Sequence, residues 1–210
     1  MLAYPIWSKL KCMQIEPKRD LAIEVANLYP PQGEWTEEDY FSLPDTNRYV
    51  ELSEGRLIMP PHPTYTHQAV LEELYVHLRT FVREHNLGVV RIAPLPVRLW
   101  PGKIREPDIF FIAKEHSDRI GERVCGVPDL VVEVLSSSTQ RTDRIEKFSE
   151  YARAGVREYW LVDPEKKTVE IYALKQGAYV LIDKYNTNQI AKSEILPGFN
   201  VNVNDLMDIF

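Results

Sequence analysis

The run Asp129-Leu-Val-Val-Glu-Val-Leu135 constrains this chain more than any other. It is rich in β-branched residues and apolar on both faces, the pattern of an interior strand covered on both sides. One residue breaks that pattern. Alternation puts Val131, Glu133 and Leu135 on one face, so Glu133 is a carboxylate set into an apolar layer. A lone charge there is costly, and Glu133 must meet a cation, a hydrogen-bond network or a metal. A salt bridge at the end of the sheet is the plainest of these solutions.

The elements around this strand read as one α/β domain. Thr36 caps a short helix in Glu34–Phe41, with acidic residues in its first turn. Tyr49–Leu52 and Arg56–Met59 flank Ser53-Glu54-Gly55 as a hairpin. Between Thr66 and His85, Val70, Leu71, Leu74, Leu78, Phe81 and Val82 recur at helical spacing. Val89–Ala93, Pro96–Trp100 and Asp108–Ala113 read as extended. A second helix is predicted over Gln140–Ala154, capped by Ser138 or Thr139 and closed by Gly155. Glu158–Val162, Thr168–Leu174 and Ala178–Tyr185 read as three further strands. The pattern predicts a central mixed sheet with the long helix on one face and Gln140–Ala154 packed nearby. The last two strands extend it as an antiparallel hairpin. Residues 1–33 have weak periodicity and read as an N-terminal arm with a short helix at Asp20–Leu28, leaving 34–210 as the domain.

Composition narrows the function classes. With 44% hydrophobic and 27% charged residues, the chain is not disordered. Cys12 and Cys125 follow no ligand spacing, so a disulfide framework is not expected and a reducing cytoplasm is. The first ten residues lack the basic start and sustained apolar run of a secretory signal. No stretch approaches the ~18 apolar residues that span a bilayer, so no membrane partner is expected. A net charge of -6 weighs against nucleic-acid binding through bulk positive charge. It leaves room for an enzyme that gathers carboxylates around a metal.

Asp108 opens its strand directly after Pro107, 25 residues before Glu133. If the two strands are neighbours, both carboxylates converge at the sheet rim, and like charges there need something positive between them. A divalent cation with oxygen ligands suits that need. On the second helix, Asp143, Lys147 and Tyr151 share a face, with Ile145, Phe148 and Ala152 as an adjacent apolar stripe. Packing that stripe on the sheet leaves Lys147 at the border, within reach of Glu133. On spacing alone, Asp143 and Lys147 read more simply as an exposed pair worth a few tenths of a kcal/mol. His62, His67, His77, His85 and His116 show no metal spacing and read as surface or core residues; Arg141 and Arg144 read as solvated.

Together, Pro107-Asp108, Pro128-Asp-Leu-Val-Val-Glu-Val-Leu-Ser136, Asp143 with Lys147 and Tyr151, and Gly155–Pro164 resemble the Uma-type endonuclease family. That family belongs to the PD-(D/E)xK, restriction-endonuclease-like superfamily, and the likeness runs from about Glu34 to Tyr172. It implies a metal-dependent phosphodiesterase in which Asp108, Glu133 and the carbonyl of Val134 bind Mg²⁺ or Mn²⁺. The superfamily's lysine two residues after the glutamate is Leu135 here; Lys147 matches a lysine moved to the following helix. Glu51 matches a further acidic position near the metal, and His67 a recurrent position without an assigned role. Ser137 stands where many relatives have proline. The serine-rich Ser136–Thr139 offers hydroxyls and a helix N-terminus to a phosphate.

The resemblance implies a Mg²⁺-dependent DNA endonuclease, with a homodimer as the expected assembly. Two alternatives stay beside it: a catalytically inactive nucleic-acid or protein-binding module on the same fold, and a small-molecule hydrolase using the same metal site. A cationic rim around the cleft separates DNA from a small substrate.

Overall fold

The computed structural model describes residues 29–44 and 49–208. The chain divides into Met1–Pro31 and Gln32–Phe210. Most of the arm predicted over residues 1–33, including its helix at Asp20–Leu28 and Cys12, lies outside the described residues.

Short helix α1 spans Glu37–Ser42, where Thr36 and Asp39 form a reciprocal capping box. β1 (Glu51–Ser53) and β2 (Arg56–Ile58) form the hairpin. Helix α2 (Tyr65–Glu84) starts on Thr64, whose hydroxyl accepts the His67 N–H. Its inward positions Val70, Leu71, Leu74, Leu78 and Val82 are buried, the 3.6-residue stripe that the sequence displays. Gly88, at φ +150°, turns the chain into the sheet; a Cβ there would meet the Ile112 carbonyl oxygen at 2.2 Å.

The main sheet joins β3 (Gly88–Ile92), β6 (Ile109–Ala113), β7 (Leu130–Val134), β8 (Glu158–Asp163), β9 (Thr168–Lys175) and β10 (Ala178–Tyr185) in the order β10-β9-β8-β7-β6-β3. β7 and β8 run parallel and the other pairs antiparallel, so the sheet is mixed, with β9 and β10 as its antiparallel extension. β7 lies in the interior, as its two-sided apolar pattern requires. Leu130, Val132 and Val134 enter one core with α2; Val131 and Leu135 enter a second core on the opposite face.

The crossover from β7 to β8 passes over that second face. It holds a π-helical turn, Thr142–Lys147, which continues into α3 (Phe148–Ala154) and ends at Gly155 in the left-handed region. The helix expected over Gln140–Ala154 is therefore present but widened in its first half. Its exposures differ from the sequence reading. Ile145 faces solvent, while Asp143 and Lys147 are buried. The exposed Asp143–Lys147 pair expected from spacing is thus an inward-facing one, because the carboxylates beneath it outweigh the local apolar stripe.

One further strand matches the extended reading of Pro96–Trp100, and several other elements had no clear sequence signal. β4 (Val97–Trp100) and β5 (Lys103–Arg105) join β1 and β2 in a second, four-stranded sheet ordered β2-β1-β5-β4. Near the C-terminus, β11 (Ile190–Lys192) pairs with β12 (Asn200–Asn202), followed by α4 (Val203–Met207), which packs on α2. No helix among the described residues is long and apolar enough to cross a membrane.

Arg144, read from sequence as solvated, instead clamps Glu170 on β9 with bonds of 2.7 and 3.2 Å. Burial alone would raise the Glu170 carboxyl, but bonds from Arg144, Tyr172 and Lys184 outweigh it and hold its pKa at about 2. A depressed carboxyl stabilises the fold above its unfolded value of 4.5 and loses that contribution as pH falls toward 2. We expect Glu170→Gln to cost roughly 1–2 kcal/mol at pH 7. In urea denaturation the gap from the natural chain should narrow steadily between those two pH values.

Candidate active site

Pairing across the main sheet builds the site. Ile109 lies opposite Val132 in the β6–β7 ladder. Extended by one residue, that register sets Asp108 opposite Glu133 on a shared face. The Val134 N–H donates to Asp108 Oδ2 at 2.8 Å, tying Asp108 to the end of β7. His67, in the first turn of α2, brings its Nε2 to 3.1 Å from the same oxygen.

Glu133 is 2% exposed. Its Oε1 accepts the Tyr151 hydroxyl at 2.7 Å and stands 2.9 Å from Lys147 Nζ. The same ammonium lies 3.3 Å from Asp143 Oδ1 and 3.9 Å from Glu51 Oε1. Glu51 is engaged on both oxygens: Oε2 takes Arg105 Nη1 at 2.6 Å, and Oε1 takes the Glu106 N–H at 3.1 Å. Arg105 also grips Glu150 at 2.7 and 2.9 Å. The structure thus brings together Asp108, Glu133, Lys147, Val134 and Glu51, with Glu51 turned toward Arg105.

The electrostatics have two causes, burial first and then too few positive charges for the acids present. Burial drives the Glu133 carboxyl well above its ordinary range, and Asp108 and Asp143 add to this against the opposing Lys147. Asp143 is raised chiefly by burial. Burial alone would lower Lys147, yet Glu133, Glu51, Asp143 and Asp108 hold it well above the ordinary lysine value. Glu106 is pushed up to about 7, by burial first and then by Glu51. Burial and Glu133 likewise raise the Tyr151 phenol. For His67, burial lowers and Asp108 raises, with a net rise. Such a net-negative, oxygen-rich pocket fits a hard divalent cation. Asp108 Oδ1 and Glu133 Oε2 accept no hydrogen bond from the described residues, so each acid keeps one oxygen for a ligand. No group of three or more His, Cys, Asp or Glu among the described residues closes as a metal cage.

A cavity of about 90 Å³ opens onto these groups, with Pro60–Thr64 and Ser136–Thr139 on its walls. Three contributors escaped the sequence reading. His67 had no assignable role; the Thr64-x-x-His67 cap was the available signal. Arg105 and Glu106 belong to no motif of their own, although two adjacent charges before Pro107-Asp108 mark an unusual entry to a buried strand.

A family model, Uma2, described as "Putative restriction endonuclease", matches residues 37–204. Among solved structures the chain is similar to a "putative nuclease belonging to DUF820" from Anabaena variabilis ATCC 29413. The two are 20% identical over 83% of this chain and 98% of that one, with a TM-score of 0.69, a likeness of fold. Comparison with curated proteins yields no match.

Lys147→Met leaves Glu133 buried beside two other acids without its cation. We expect a loss of about 3–5 kcal/mol in unfolding free energy, much of it recovered by adding Glu133→Gln. A loss below about 1 kcal/mol would show that solvent already screens the pair.

Proposed function

The chain belongs to the Uma2 family of restriction-endonuclease-like proteins, and from that premise we propose that it is a Mg²⁺- or Mn²⁺-dependent nuclease cutting phosphodiester bonds in DNA. The observation that carries this reading is the convergence of Asp108 and Glu133 at one sheet rim, with the Lys147 ammonium 2.9 Å from Glu133.

Asp108, Glu133 and the Val134 carbonyl are the groups we assign to the cation. When bound, it lowers the pKa of a coordinated water and polarises the scissile phosphate. The protein's own residues do the rest. Lys147, surrounded by carboxylates, keeps its proton; it acts as a fixed positive charge that orients a nucleophile and stabilises developing charge on phosphorus, and not as a base. Tyr151 fixes the Glu133 carboxylate by donating to Oε1. Glu51, tied to Arg105, sets the Lys147 side of the pocket. The hydroxyls of Ser136–Thr139 line the approach and offer donors to a phosphate oxygen. A homodimer belongs to the same proposal, because cutting two strands calls for two sites.

One observation favours a second reading, a small phosphodiester as substrate. Among the described residues lining the cavity, Lys147 is the sole lysine and there is no arginine, whereas a DNA cleft gains affinity from several phosphate-neutralising cations.

Calorimetric titration of Mn²⁺ into the natural chain and into Asp108→Ala/Glu133→Ala, paired with plasmid nicking, tests the proposal. We expect binding and nicking in the first and neither in the second, with the fold retained. Nicking that weakens steeply with salt assigns DNA; salt-insensitive hydrolysis of bis(p-nitrophenyl) phosphate without nicking assigns the small diester. Absence of Mn²⁺ binding in the natural chain sinks the metal-dependent reading.

A further inference from the structure

Asp108 Oδ2 is held by two donors that come from different elements. One is the backbone amide of Val134, at 2.8 Å. The other is His67 Nε2, at 3.1 Å, carried by the first turn of a 20-residue helix. That turn is itself pinned, since Thr64 Oγ1 accepts the His67 N–H. The His67 residue is 9% exposed and borders both the main cavity and an adjoining one that runs toward Gln140 and Pro164.

The second ring nitrogen, Nδ1, is buried and has no hydrogen-bond partner among the described residues. A bare lone pair in that setting costs less than an orphaned N–H. The proton of the neutral ring therefore sits on Nε2 and points at Asp108. An imidazole in this tautomer is a directional donor. With the Val134 amide it fixes the plane of the carboxylate, occupies Oδ2 and leaves Oδ1 as the ligand oxygen.

We propose that His67 is a positioning residue for Asp108, one that presets the carboxylate for a divalent cation without touching the ion. The inference rests on the reading that Asp108 and Glu133 hold that cation. Partners that orient a ligating carboxylate typically change metal affinity by roughly 10–100-fold when removed. Glutamine can present an amide N–H from a similar reach; alanine cannot.

The test is calorimetric titration of Mn²⁺ into the natural chain, His67→Ala and His67→Gln, with Asp108→Ala as the reference without a site and thermal unfolding run on all four. We expect His67→Ala to bind roughly 10–100-fold more weakly and His67→Gln to stay within a few-fold of the natural chain, at similar unfolding midpoints. Unchanged affinity in a folded His67→Ala overturns the proposal while leaving the metal site standing. If the alanine chain does not fold, the glutamine chain decides: folded and binding as poorly as Asp108→Ala, it overturns the role; folded and binding near the natural affinity, it supports it. Absence of binding in the natural chain brings down the cation reading and this inference with it.

Discussion

A lysine ammonium buried among carboxylates is the interaction on which the rest of this structure depends. Removing a charge from water costs several kcal/mol even after relaxation, and Lys147 is 8% exposed. Glu133 and Asp143, at 2.9 and 3.3 Å, offset that cost from two directions. They come from different elements, β7 and the crossover that follows it. The crossover must therefore present two charged side chains inward within one short span. It does so through the π-helical turn Thr142–Lys147, a rare geometry that recurs at functional sites. Turning Asp143 and Lys147 inward leaves Ile145 in solvent.

A second buried cation works at the other end of the same cluster. Arg105 is fully buried and spans Glu51 on β1 and Glu150 on α3. Guanidinium suits this position because it donates in a fixed fork to two acids at once. The small sheet β2-β1-β5-β4 is thereby wired to α3, the helix that directly follows Lys147.

Much of the scaffold was legible because its signals are local. The α2 stripe, the Thr36 cap and the two-sided apolar run of β7 each reflect physics within one element, and the structure places all three. The α/β class follows from their order, and its restriction-endonuclease-like form from the family resemblance. What escaped depends on partners distant in sequence. Lys103-Ile-Arg105 carries no apolar run of its own, yet both charges are buried because Ser53, Glu51 and Glu150 come to meet them. The same reason hid the depth of Lys147: Asp143–Lys147 spacing resembles any exposed helical pair, and only Glu133 across the fold turns it inward. The relation of Asp108 to Glu133 was suggested by strand order and is set by a register of one-to-one pairing. His67 gave no sign of its orientation toward Asp108, since hydrogen bonds between elements leave no periodicity.

The parallel pairing of β7 with β8 has a consequence for how the chain acquires its site. Parallel neighbours cannot be joined by a tight turn, so the ladder closes only after the whole crossover from Leu135 to Arg157 has folded back. That crossover carries Lys147 and Tyr151; Asp108 arrives with β6, and His67 with α2. Long-range closure of this kind is slow and comes after local structure. A nascent chain with β6 and β7 paired sets Asp108 against Glu133 but still lacks Lys147 and Tyr151 beside them. The assembled centre is thus a property of the completed fold.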